Sequence, residues 1–540
     1  MYESFATVWE AIADAIPDAT AVVQGDRRVR WRELHDHAAR LAGGLSSEGV
    51  GEGAHVALFL FNCPEYMECL FACSKLRALS ANVNFRYESG ELAALLENAD
   101  AEVLVFHRSL GDRVAAVRKQ LPKLRVLIEV DDGGAAPAVP DAIAYDDLIT
   151  AHDPLPRIER SGDDLLLWYT GGTTGLPKGV LWHQGTLLNY GAVYAAGVIN
   201  RPVPESVAEA AECAVELLER DHRPVPLLTT PLVHATAVHQ ANTWFSVGGM
   251  IALLPRGPVD GDVVCATIER ERVTLLSLVG DVILRRIVRA LEAAEARGEP
   301  YELSSLRRVH NSGAMVNATL KDALLSRGTM SFYDSLGSSE AVGFGLALTS
   351  APGEHRTARF ALGPRARVIN EDGRDVVPGS GEHGLLAVTE SSAIGYYKDP
   401  ERSAVTFREI DGTPYAMPGD WAIVHDDRTI TLLGRGSGCI NTGGEKVWPE
   451  EVEEVLKTHP AVVDAIVVGL PDEEWGETVA AVVSLVSDHD GETPTRDELS
   501  AWVGQLLASY KRPRRLVVVD QVQRTTVGKA DYAWARAVLS

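Results

Sequence analysis

Positive charge is what this chain has least of for its size. Lysine and arginine number 51 against 75 aspartates and glutamates, a net charge of -24 with a pI near 5.1. The summed field repels polyanions, which excludes general affinity for nucleic acid or anionic membrane and obliges any anionic ligand to meet a local cluster of positive groups. Cysteine is scarce too, with six in 540 residues. Cys63, Cys69 and Cys73 surround an apolar segment with neither metal-site nor disulfide-scaffold spacing, so the cysteines read as reduced core residues. No stretch reaches the roughly 18 apolar residues of a membrane span. The opening "MYESFATVWEAIADAIPDAT" lacks the basic segment and apolar run of a secretory leader, so the expected location is cytoplasmic. Internal repeats and low-complexity tracts are also missing, which leaves an ordinary globular protein.

What is present is apolar content, at 46%, in a chain longer than one core usually supports. Two or more domains are expected. Strand-like runs such as "HVALFLFN" and "AEVLVFH" alternate with helix-like runs such as "GELAALLENAD" and "LGDRVAAVRKQL" through the first 150 residues. That alternation predicts α/β layers around a mostly parallel sheet. Residues 203–221 carry apolar positions at helical spacing among carboxylates, an exposed amphipathic helix. From 379 to about 433, short segments such as "GLLAVTE" and "RTITLLG" predict small antiparallel β-structure. "GRGSG" at 434–438 offers a flexible joint before a further unit of about 100 residues. The expected division is 1–434 and 435–540.

One loop carries chemistry. "YTGGTTGLPKGV", 169–180, puts four glycines, three threonines and a lysine directly after the apolar run "LLLW". Glycines behind a strand let successive N–H groups point at one spot, and hydroxyls and an ammonium add donors suited to phosphate oxygens. The order is not that of a Walker A loop, because Lys178 follows Pro177 and precedes Gly179. "TTVGKA" at 525–530 fails the same test. A mobile surface loop would explain the glycines but not the threonines and lysine among them.

The loop resembles the signature of the adenylate-forming superfamily, which includes acyl-CoA synthetases, firefly luciferases and nonribosomal-peptide adenylation domains. Six further segments stand in that superfamily's order: "PLVHA" (231–235), "NSGA" (311–314), "DSLGSSE" (334–340), "PGDW" (418–421), "GRGSGCINTGGEKVWPEEVE" (434–453) and "QRTTVGKADY" (523–532). The resemblance covers essentially the whole chain. It implies an α/β fold with a large amino-terminal domain of doubly wound sheets plus a small β-barrel, followed by a small mobile α+β carboxy-terminal domain. It also implies ATP, Mg2+ and coenzyme A as cofactors and a two-step reaction through an acyl-adenylate.

By resemblance, Thr170, Gly171, Gly172, Thr173, Thr174, Gly175 and Lys178 hold the triphosphate. Glu340 is the magnesium carboxylate, and Ser339 stands where relatives have a phosphate-contacting threonine. Gly313, Ala314, Asp334, Ser335 and Leu336 line the adenine, with Leu336 in place of the usual stacking aromatic. Asp420 accepts from the ribose diol, and Arg435 is its ribose-contacting neighbour. Lys529 offsets charge between the acyl carboxylate and the α-phosphate during adenylation. The hinge position is Ser437, where relatives carry Asp or Lys, and Gly443 and Gly444 approach the pantetheine. Lys511 and Arg512, with Arg514 and Arg515, form the densest basic cluster, read either as a site for coenzyme A phosphates or as a solvated turn.

His234 lies between the acyl and phosphate parts of the site in this resemblance, while His239 shapes the substrate wall. The two do not form H-E-x-x-H, so no zinc site is expected. The acyl pocket is expected to have Trp244 and Phe344 as bulky walls and no basic residue for a second carboxylate. An apolar small-molecule acid therefore fits, and the wording of the motifs is similar to actinobacterial fatty-acid and steroid side-chain CoA ligases. No nucleic acid or integral membrane segment is expected, and a homodimer is an admissible assembly. The rival readings are a stand-alone adenylating enzyme that delivers its acyl-AMP to another acceptor, and a luciferase-like oxygenase on the same fold.

Overall fold

The computed structural model describes residues 2–170, 178–314, 316–354, 359–435, 438–442, 445–472, 475–486, 494–507, 509–525 and 530–540, with the side chains of 435, 441, 445, 446 and 476 excepted. Two large sheets share the chain up to Arg435. One contains eight strands in the spatial order Gly395–Tyr396, Lys178–His183, Leu165–Thr170, Leu79–Asn82, His55–Phe59, Val103–His107, Val126–Val130 and Ile143–Ala144. From Leu165–Thr170 onward its pairings are parallel. Strands such as Val103–His107 are buried at every position, as a sheet covered by helices on both faces requires. The expected alternation of strand and helix is thus present.

The second sheet has fifteen strands. Its first part is parallel through Pro226–Leu228, Leu275–Leu278, Arg308–Ser312 and Ser331–Leu336. It then turns antiparallel from Gly345–Thr349 onward and ends in the short strands Phe407–Ile410 and Thr413–Ala416. This antiparallel part, wrapped on Phe344, Phe360, Leu386 and Ile430, is the small β-unit expected after residue 379. It begins earlier than the sequence pattern suggested, because Gly345–Thr349 and Arg359–Leu362 join the same ladder.

The amphipathic helix is narrower than 203–221 and spans Val207–Glu219. Ser206 sets its start, its hydroxyl accepting from the Glu209 N–H at 3.2 Å. Ala210, Ala214 and Leu217 are its buried stripe, and the charged face stays outside. Beyond Cys439 a five-stranded sheet stands apart, with Val462–Asp472 and Gly476–Leu485 antiparallel and Arg515–Val519 parallel to the latter. Its own apolar cores lie on either face, one around Val452, Leu456 and Val503, the other around Val468, Ala535 and Leu539.

Candidate active site

Open α/β sheets bind ligands beyond the carboxyl ends of their parallel strands. The strand Leu165–Thr170 ends so, and Thr170 pairs in register with Lys178 at the start of the next strand. These two residues are therefore the anchors of the Gly/Thr loop. Gly171, Gly172, Thr173, Thr174 and Gly175 themselves lie outside the described residues. Asn82 fixes the anchor: its Oδ1 accepts from the Tyr169 N–H at 2.7 Å, and its Nδ2 donates to the Tyr169 carbonyl at 2.8 Å and to the Val233 carbonyl. Asn62 does the same for the turn beyond, accepting from the Leu232 N–H at 2.6 Å and donating to the Thr230 carbonyl at 3.1 Å. His234, the N-cap of the helix Ala235–Phe245, is thereby held beside the loop's foot. Neither asparagine was singled out from the sequence.

A strap at 391–397 ties the other side. The Ile394 N–H donates to Leu181 and the Tyr397 N–H to Gly179, while the Val342 N–H donates to Ser391 and the Ala393 N–H to Glu340. Trp182 Nε1 adds a 2.9 Å bond to the Ser339 carbonyl. Lys178 and Glu340 thus belong to one hydrogen-bonded frame. Glu340 is buried, and its Oε1 accepts from the Tyr396 hydroxyl at 2.7 Å. Oε2 has no such bond among the described residues, which suits a hard oxygen ligand for Mg2+.

The segment expected to line the adenine is built on two parallel strands, with Asn311 opposite Asp334 and Ser312 opposite Ser335. Gly313, at φ +86°, turns the chain away from the strand end. Side chains alternate along a strand, so Asp334 and Ser335 point to opposite faces. Asp334 is buried and engaged. Lys321 Nζ donates to its Oδ2 at 2.5 Å and Asn311 Nδ2 to its Oδ1 at 2.9 Å, while Asn311 also donates to the Ala314 carbonyl and accepts from the Gly280 N–H. Its carboxylate therefore braces the segment. Leu336 packs against the core of the antiparallel unit instead of offering an aromatic face.

Ser335 faces the opposite way, into a relay whose polarity one donor fixes. The indole of Trp244 can only donate, and it donates to Gln240 Oε1 at 3.0 Å. Gln240 Nε2 consequently faces His310 Nδ1 at 2.8 Å and must be the donor there. The proton of His310 then sits on Nε2 and is given to Ser335 Oγ at 2.7 Å. Burial, with His239 and Arg308 nearby, pulls His310 down to about 3, so the ring stays neutral. Trp244, expected as a wall of the acyl pocket, is wholly buried. Phe344 is likewise enclosed in the antiparallel core.

Asp420 and Arg435 are cross-strand partners, although the arginine side chain lies outside the described residues.

A model of the AMP-binding enzyme family matches residues 9–397, and that of the AMP-binding enzyme carboxy-terminal domain matches 451–529. The chain belongs to the AMP-binding enzyme family. It is 38% identical, over 99% of its length and 96% of the relative's, to a medium/long-chain fatty-acid–CoA/3-oxocholest-4-en-26-oate–CoA ligase of Mycobacterium marinum. It is 37% identical, over 99% and 95%, to a 3-oxocholest-4-en-26-oate–CoA ligase of Rhodococcus rhodochrous. The anthranilate CoA ligase AuaEII, solved with anthranoyl-AMP, shares the fold at a TM-score of 0.82 and 22% identity, covering 100% of this chain and 97% of that one.

In the carboxy-terminal part of this AMP-binding enzyme, Lys529, Ser437, Gly443 and Gly444 lie outside the described residues. The foot of the lysine loop is visible: Arg524 forms an antiparallel bridge with Ala530, and its guanidinium holds Asp464 at 2.7 and 2.5 Å. The basic cluster is less free than its sequence suggested. Lys511 Nζ lies 2.8 and 2.7 Å from the two oxygens of Glu451, and Arg512 donates to the Ser500 carbonyl at 3.2 Å. Arg514 packs over the Trp475 ring at 4.6 Å. Among the described residues no helix is long and apolar enough to cross a membrane.

Proposed function

We infer that this chain is an AMP-forming acyl-CoA synthetase, an acid–thiol ligase acting on an apolar carboxylic acid of the long-chain or polycyclic side-chain kind. The observation that carries this reading is the single hydrogen-bonded frame joining the sites expected for separate ligand parts. Asn82 links the foot of the Gly/Thr loop to the His234 turn, the strap 391–397 links Lys178's strand to Glu340, and the His310 relay links the His234 helix to Ser335. Full-length relatives are CoA ligases of fatty and steroid side-chain acids, which supports thioester formation over delivery of a free adenylate to another acceptor.

In the proposed reaction a carboxylate oxygen attacks the α-phosphorus of ATP and pyrophosphate leaves; the thiol of coenzyme A then attacks the acyl carbon and AMP leaves. Thr170, Lys178 and the loop between them bind the triphosphate, Asp420 and Arg435 the ribose, and Gly313 to Ala314 with Leu336 the adenine. Glu340 and hydroxyls near it fit Mg2+, which supplies charge neutralisation on the phosphates when bound. Lys529 is the residue proposed to offset charge between the acyl carboxylate and the α-phosphate in the first step. The proposed division is 1–434 and 435–540, the second part turning about 434–438 between the steps. Lys511 is largely neutralised by Glu451, so Arg514 and Arg515 are the better candidates for coenzyme A phosphates. Use of ATP and coenzyme A, with the six cysteines present as free thiols, supports a cytoplasmic setting.

The test is acid-dependent pyrophosphate release across fatty, aromatic and steroid acids, with and without coenzyme A. A CoA thioester of an apolar acid is the expected product; pyrophosphate release without any thioester would instead favour adenylate delivery.

A further inference from the structure

Between the helices Gln184–Ile199 and Ala235–Phe245 lies a strip of neutral rings with polar edges. The helices approach closely, since a Cβ on Gly191 would come within 2.8 Å of Thr243 Oγ1. The His239 ring sits against Tyr190, centroids 5.4 Å apart. Tyr190 is confined in turn, for a Cβ on Gly343 would meet its ring at 2.9 Å. One turn further on, the Tyr194 hydroxyl reaches His310 Nδ1 at 3.2 Å.

His310 has a partner on each nitrogen and is part of the frame. His239 is different. It has no hydrogen bond among the described residues, and its Nδ1 is shut off from solvent. Burial draws its pKa down to about 4, so one proton is shared between the two nitrogens' positions. On Nδ1 that proton would be an orphaned buried donor, which folded proteins avoid more strictly than a bare lone pair. The proton therefore belongs on Nε2, which is not sealed in this way.

We propose that His239 is a specificity-determining residue whose Nε2–H donates to an oxygen on the hydrocarbon body of the acid, so that a ketone-bearing acid is preferred to the unoxygenated acid of the same skeleton. The inference rests on the proposed acyl-CoA synthetase reading and takes the acyl group to lie against His239. His239 is five residues past His234, roughly 7.5 Å along the helix axis, so an oxygen bound there would lie away from a carboxylate seated at His234. An unoxygenated chain would leave the donor buried and unpaired, a penalty of roughly tenfold or more in specificity.

The full-length enzyme is assayed with a mid-chain oxo fatty acid and the parent saturated acid of equal length, comparing kcat/KM for CoA thioester formation. Wild type is expected to favour the oxo acid at least about tenfold. His239→Leu, which keeps bulk but removes the donor, is expected to bring that ratio close to unity, and His239→Gln, which can return an N–H to the same place, to restore part of it. A wild-type ratio near unity overturns the proposal. So does an unchanged ratio in a His239→Leu protein with native circular dichroism and Tm, since His239 would then only pack on Tyr190. Failure of every acid to release pyrophosphate would instead remove the acyl-CoA synthetase reading beneath it.

Discussion

Asp420 and Arg435 face one another across one rung of an antiparallel ladder. They are fifteen residues apart in sequence, yet the antiparallel pairing of Asp420–Val424 with Thr429–Arg435 makes their backbones neighbours. In the proposed reading both residues serve the ribose of the same nucleotide.

Asp420→Ala is expected to raise the KM for ATP in pyrophosphate exchange by roughly 10- to 100-fold, since a charged acceptor of two hydroxyl hydrogen bonds is lost. Circular dichroism should be native. An unaltered KM would remove Asp420 from the nucleotide site.

The Lys321–Asp334 pair is nearly sealed from solvent, with side chains 8% and 5% exposed. Lys321→Met leaves Asp334 with only Asn311 as donor and is expected to cost about 3–5 kcal/mol in denaturant unfolding, because a buried carboxylate has lost its counter-charge. The double change Lys321→Met with Asp334→Leu should recover much of that loss. If the single variant is as stable as wild type, Asp334 is not the brace described here.

Glu453 is buried beneath the five-stranded sheet, its carboxylate accepting from the Val467 N–H at 2.9 Å. Burial, with Glu450 nearby, pushes its pKa up to about 8. A group whose folded pKa is raised gives stability that is whole below its unfolded value, near 4.5, and is lost as pH climbs through the folded one. Glu453→Gln imitates the protonated form, so its Tm should exceed wild type by more at pH 8.5 than at pH 4, values about half a unit either side of the window. An equal difference at both values would contradict the assignment.

Much of this was legible in the residues. Apolar runs alternating with amphipathic ones foretold the parallel sheets, and the Gly/Thr loop is anchored at Thr170 and Lys178 as its position behind a strand implied. Strand alternation would also have separated Asp334 from Ser335, although the resemblance placed both on the adenine. Asn62, Asn82, Gln240 and His310 were invisible for a different reason. Each takes its value from partners far away in the chain, 70 residues in the case of Gln240 and His310. Lys511 shows the converse: four cations read either as an anion site or as a solvated turn, and Glu451, 60 residues off, sits on one of them.

Lys529→Ala should abolish acid-dependent pyrophosphate release while leaving thioester formation from supplied acyl-adenylate largely intact, because the ammonium is needed only where charge builds between carboxylate and α-phosphate. Loss of both half-reactions in a folded protein would contradict that role.

The central claim is that a carboxylate oxygen of the substrate bonds to the α-phosphorus of ATP. The most direct measurement uses an apolar acid labelled with heavy oxygen in its carboxylate, with ATP, Mg2+ and coenzyme A, and reads the label in each product by mass spectrometry. The account predicts one labelled oxygen in AMP and the other in the thioester carbonyl. Label in inorganic phosphate or pyrophosphate, with none in AMP, would contradict it.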